Sequence, residues 1–96
     1  MRTAVPKQLG GVLASVIQNL GIGQRLKKAE ALDRWSEIVG EQIARVTVPV
    51  RVEGETLVIH VTSSVWRNEL VFLKRELIAK VNKAVQKDLI KDIIFR

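Results

Sequence analysis

Leu9, Leu13, Val16, Ile17 and Leu20 recur at intervals of three and four residues, the spacing of one apolar helix face. Pro6 before this stretch suits a first helical turn, and Gly21 after it suits a left-handed C-terminal cap. Gly10 and Gly11 weaken the helix, which therefore depends on packing. A second helix is predicted from Gln24 to Val39, broken at Gly40 and followed by a further turn over Glu41–Val46. Leu32, Trp35, Ile38, Val39 and Ile43 fall on one side of it, and Glu30, Asp33, Glu37 and Glu41 on the other. The period then drops to two. Val46, Val48, Val50 and Val52 alternate with Thr47, Pro49 and Arg51, and Leu57, Ile59 and Val61 alternate with Val58 and His60. Glu53-Gly54 between the two runs predicts a tight antiparallel hairpin. Pro49 has no N–H for a ladder, so its strand is expected at an edge or paired on one side only.

Ser63 or Ser64 is placed to cap a long helix reaching Val85 or Gln86, with Trp66, Leu70, Leu73, Leu77 and Val81 as its apolar stripe. Val65 and Phe72 lie on the far side. Leu89–Phe95 reads as a closing strand. The predicted order is α-α-β-β-α-β: an α+β fold with a three-stranded sheet and the helices packed on one face. Ninety-six residues suffice for one domain and not for two. No apolar run approaches the roughly 18 residues that span a bilayer, and no cleavage signal follows the basic start, so a cytoplasmic protein without membrane contact is expected.

Charge adds a second layer. Lysine and arginine outnumber aspartate and glutamate 16 to 10, a formal charge of +6. The excess is segregated. Residues 1–28 hold Arg2, Lys7, Arg25, Lys27 and Lys28 and no acid, residues 29–44 are acidic, and the last third is basic again. Arg25, Lys27 and Lys28, joined by Arg67, Lys74, Arg75 and Lys83, are candidates for contacting nucleic-acid phosphates, a salt-sensitive and sequence-independent attraction. Solvated helix faces are the other reading, because Arg34 can pair with Glu30 and Glu37, and Lys80 with Glu76. Glu30, Asp33, Glu37, Glu41 and the outlying Phe72 are candidates for a protein-facing surface.

Catalytic equipment is thin. With no cysteine, one histidine and no tyrosine, the chain has no thiolate metal site, no cysteine nucleophile and no second imidazole for a triad. His60 sits opposite the apolar phase of its strand. Ser63 and Ser64 are explained by capping, and Glu53 and Glu55 flank a turn. Trp35 and Trp66 could stack on bases, but each lies within an apolar stripe and reads as core, as does Leu70. Gly21-Ile22-Gly23-Gln24-Arg25 precedes a helix that could hold a phosphate, a pattern of low specificity. No enzyme, cofactor, metal or small-molecule substrate is expected.

One ordered set of positions goes further. Leu32-x-x-Trp35-x-x-Ile38-Val39-Gly40-x-x-Ile43-Ala44, then Val46-Thr47-x-Pro49-Val50, resembles the opening of the DciA family of bacterial proteins. Gly54-x-x-Leu57-x-Ile59-x-Val61-x-Ser63-Ser64-x-Trp66-x-x-Glu69-Leu70 and Ile90-x-Asp92-Ile93-x-Phe95-Arg96 continue the likeness over nearly the whole chain. The resemblance implies a KH-like domain that acts with the replicative helicase, assists its loading onto single- or double-stranded DNA, and hydrolyses no nucleotide. Trp35, Gly40, Pro49, Trp66 and Leu70 carry over as scaffold positions. A KH domain that reads RNA places Gly-x-x-Gly between two helices; here one uninterrupted helix from Ser64 is expected instead. One KH-like unit over 1–96, without a separate linker or tail, completes the expectation. A KH-like RNA-binding module linked to translation and a purely protein-binding domain are the rivals.

Overall fold

A computed structural model of the chain describes residues 21–96. The amphipathic stretch Leu9–Leu20 lies outside the described residues. Gly21, expected as the C-terminal cap of that stretch, has a left-handed backbone (φ 72°) and stands as the N-cap of the helix that follows. Helix α1 (Ile22–Asp33) follows, then two short helices, α2 (Trp35–Val39) and α3 (Glu41–Ala44). A hairpin of β1 (Thr47–Glu53) and β2 (Thr56–Val61) comes next, then α4 (Ser64–Phe72), α5 (Lys74–Val85) and β3 (Asp92–Phe95). The sheet order is β1-β2-β3, with β1 antiparallel and β3 parallel to the central β2. A parallel neighbour requires a crossover, and α4–α5 supplies it. The architecture is the α+β arrangement expected, with the proline-bearing β1 at an edge.

The interior lies between one sheet face and the helices. Ala31, Trp35 and Val39 continue one i, i+4 stripe from α1 into α2. They meet Leu57, Ile59 and Val61 of β2, Ile93 of β3, and Leu70, Leu77, Val81 and Val85 of α4 and α5. Burial of this apolar surface is the main force holding the layers together. Trp35 brings one polar atom into this interior. Its indole N–H donates to Thr47 Oγ1 at 2.9 Å, and that hydroxyl donates to the Ile43 carbonyl at 2.7 Å.

Five local readings are corrected. The first concerns β1, where the valines do not form the inner face. Thr47 pairs with Val61 and Pro49 with Ile59, but Arg51 pairs with Val58 and Val52 with Leu57, so Val50 is an extra residue in a bulge. The bulge reverses the alternation. Thr47 is 5% exposed while Val48 is 52% exposed, and inward phase passes to Val52 beyond the bulge.

The second and third concern helix continuity. The Gln24–Val39 helix begins earlier, at Ile22, and breaks at Arg34 (φ −97°, ψ 5°). The Ser64 helix is not uninterrupted but turns at Leu73 (φ −97°, ψ 2°), whose N–H donates to the Leu70 carbonyl. Neither site holds glycine or proline. At Leu73 tertiary packing demands the turn: α4 lies on β2 and β3, whereas α5 lies on β3, α1 and α2. Gly40, by contrast, breaks its helix where the sequence places the break, at φ 90°.

The fourth concerns the closing strand, which begins at Asp92 rather than Leu89. The Asn82 side chain accepts from the N–H groups of Leu89 and Ile90 and donates to the Ile90 carbonyl, so these groups are saturated before a ladder can use them. The hairpin turn is Gly54-Glu55, one residue later than expected, with Gly54 at φ 60°.

The relay through Thr47 is testable. Thr47→Val keeps shape but leaves the buried indole N–H without an acceptor. The expected loss is about 1–3 kcal/mol of unfolding free energy, read from the urea midpoint. A loss below about 0.3 kcal/mol would show that the relay contributes nothing beyond packing.

Candidate functional site

Among the described residues the candidates do not converge on one cleft; they lie on several elements and their charges are paired to different degrees. On α1, Arg25 is exposed, Lys28 is half-buried, and Lys27 Nζ stands 3.7 Å from Glu30 Oε1. Arg34, at the α1–α2 break, is the hub. Its Nη1 donates to Glu30 Oε2 at 2.8 Å and to the Ala84 carbonyl at 3.0 Å, and its Nη2 donates to Glu37 Oε1 at 2.9 Å. The hydrogen bond to Glu37, then that to Glu30, raises the Arg34 guanidinium above its usual value. One side chain thus ties α1, α2 and the end of α5 together.

This hub divides the acidic stripe. Glu30 and Glu37 are engaged by Arg34, and Glu41 by Arg45. Asp33 is exposed and has no ion pair among the described residues.

Arg67 serves the fold. Its Nη2 donates to the Val61 carbonyl at 3.0 Å and its Nε is buried, so α4 is fastened to the end of β2. Trp66 N–H donates to Ser63 Oγ at 3.3 Å, and Ser63 is the N-cap. Lys74 Nζ reaches Asp92 Oδ1 at 3.1 Å, across from α5 to β3. Arg75 and Lys83 are exposed on α5 and in no ion pair with a described residue. Lys80 on α5 and Lys87 just beyond its end are also exposed and in no ion pair with a described residue, and the i, i+3 spacing of Lys80 and Lys83 places those two on one face.

A groove of about 520 Å³ runs between α1–α2 and α5, lined by Arg34, Glu37, Ile38, Lys80, Lys83 and Ala84. On a separate face, Phe72 is 85% exposed at the α4–α5 corner, with exposed Val65 and Val71 on the same helix. Trp35 and Leu70 are fully buried, and Trp66 is half-buried against the core.

Residues considered for chemistry have structural surroundings. His60 is exposed on the sheet, Glu53 pairs with Arg51, and Ser63 caps α4. Among the described residues no cluster of three metal-ligating side chains occurs, and no helix is long and apolar enough to cross a membrane.

The Lys74–Asp92 pair predicts a pH dependence. Lys74, and the Ile93 N–H that Asp92 also accepts, lower the carboxyl pKa from its ordinary 3.8, while burial opposes them. A lowered folded-state pKa contributes stability above the unfolded value that is lost as pH falls through the folded one. Asp92→Asn keeps the acceptor but not the charge. Its urea midpoint should lie below that of the parent chain at pH 6, and the gap should close as the pH is taken below about 3.8. A gap independent of pH would contradict the ion-pair assignment.

Comparison with known proteins follows the same segments. The family model described as "Dna[CI] antecedent, DciA" matches residues 8–95. A UPF0232 protein of Mycobacterium tuberculosis is 27% identical over 88 residues, covering 92% of this chain and 47% of its own length. A UPF0232 protein of Mycolicibacterium smegmatis is 28% identical over 80 residues, 83% of this chain and 41% of its own. One of Rhodococcus jostii is 24% identical over 88 residues, 92% and 47% respectively. The chain spans about half the length of the curated relatives it matches.

Proposed function

The chain belongs to the DciA family, and from that premise we propose that it is a non-enzymatic adaptor of DNA replication that binds the replicative helicase and DNA. Membership supports a role related to helicase loading. The finer reading is that the chain works in the cytoplasm, holding DNA electrostatically while a protein-facing surface engages the helicase ring. The family match over residues 8–95 carries this reading.

The charge arrangement supports it. Among the described residues Arg25, Lys28, Arg75, Lys80, Lys83 and Lys87 stand in no ion pair. Residues 1–20 contain no acid that could neutralise them. A helicase-facing role for Phe72, with Val65 and Val71 beside it, rests on the exposure of three large apolar side chains on one short helix. Asp33 and the partly committed acids Glu30, Glu37 and Glu41 lie on α1–α3 and not on α4, so they are a second candidate protein-facing surface.

Capture of the cognate replicative helicase on immobilised protein, with and without single-stranded DNA, tests the adaptor. Retention of the helicase is expected, with Phe72→Ser lowering it at least tenfold while thermal stability stays unchanged. On the DNA side, changing Lys27 and Lys28 to Glu should weaken binding and flatten its salt dependence. An unchanged salt slope removes α1 from the DNA-contacting surface. Preference for RNA over DNA of equal length, with no helicase retained, would favour the RNA-binding rival.

A further inference from the structure

The groove between α1–α2 and α5 has a specific electrostatic makeup. Among its described lining residues the one acid, Glu37, is turned to Arg34, whose guanidinium also donates to Glu30 and to the Ala84 carbonyl. The opposite wall carries Lys80 and Lys83, one turn apart on α5 and without a carboxylate partner among the described residues. The helix dipole accounts for Lys83, which lies in the last turn of α5, but not for Lys80. Ile38 and Ala84 are the other described lining residues, and none of the described ones is aromatic. The Arg34–Ala84 bond spans the two walls and holds their spacing before any ligand arrives.

We propose that this groove holds the phosphodiester backbone of a single nucleic-acid strand on Lys80 and Lys83, without regard to base identity. The inference rests on the DNA-binding half of the reading above and gives it a location on α5. Lysine offers compact point charges suited to phosphate oxygens, whereas a carboxylate partner is best met by a bidentate arginine fork. Among the described lining residues Arg34 is the one arginine, and both of its Nη atoms already donate within the protein. A concave basic channel tracks one strand's backbone, and with no aromatic platform it contributes charge without stacking. Glu37 limits the affinity, since it sets one negative charge within the same lining.

The test measures binding of fluorescent dT20 and rU20 and of a 20-base-pair duplex to the full chain across 50–300 mM salt. Lys80→Gln/Lys83→Gln removes two cations and keeps good helix formers. For single strands it should lower the slope of log affinity against log salt by about 1.4, and affinity about 25-fold at 0.1 M salt. The duplex should be little affected. Arg75→Gln/Lys87→Gln removes equal charge outside the groove and should leave single-strand binding within about twofold of the parent chain. Glu37→Gln should tighten it about two- to fivefold, the scale of an exposed charge contact. dT20 and rU20 should lose affinity equally, and the ratio of their parent affinities tells which polymer is preferred. An equal loss in the two double variants, or an equal loss for duplex, overturns the groove assignment while leaving DNA binding intact. A parent chain that binds neither polymer overturns both the groove and the DNA-binding reading.

Discussion

A tryptophan cannot be buried at the centre of a small domain unless its N–H finds an acceptor. Trp35 meets that demand through Thr47, and much of the architecture follows. Thr47 must face inward to reach the indole, so β1 enters the sheet with its threonine in the core and Val48 and Val50 outside. The same hydroxyl bonds to the Ile43 carbonyl near the end of α3, joining helix, turn and strand in one chain of donors and acceptors. Thr47 is the one polar residue among the fully buried positions described. Leaving its partners unsatisfied costs more than the bond itself contributes.

That first choice of phase has a consequence downstream. With Thr47 inward, strict alternation would also turn Arg51 toward the core. The bulge at Val50 removes the conflict by inserting one residue, after which Val52 faces inward opposite Leu57 and Arg51 stays exposed. Val48 and Val50 are left on the surface as a result. The bulge thus reconciles a polar anchor at one end of the strand with an apolar one at the other.

Charge follows a similar logic on the outside. Arg34 gathers Glu30 and Glu37 around itself and reaches the Ala84 carbonyl, locking α1 and α2 to α5. Arg67 and Lys74 are likewise engaged in holding elements together, by Val61 and Asp92. Among the described residues, the cations in neither an ion pair nor such a fold contact lie mainly on α1 and along α5. In the proposed reading, phosphate contact and the apolar corner at Phe72 would fall to different elements, α5 and α4.

The element types, their order, the hairpin, the break at Gly40, the Ser63 cap and the family likeness were all legible in the chain. Each depends on neighbours in sequence: periodicity, glycine's freedom at positive φ, or a hydroxyl three residues ahead of an N–H. The pairing of Arg34 with Glu30 and Glu37 was legible for the same reason. The inward phase of Thr47, the bulge, the turns at Arg34 and Leu73, and the late start of β3 were not. Those were decided by the Trp35 indole, by packing of α4 and α5 on different surfaces, and by Asn82 saturating the Leu89–Ile90 backbone. The groove belongs to this second group. Lys80 and Lys83 lie more than forty residues from Glu37, so only the docking of α5 against α1 and α2 makes them facing walls. Local spacing determined the parts, the total charge and most of the ion pairs of this protein; contacts distant in sequence decided which of the remaining charges meet.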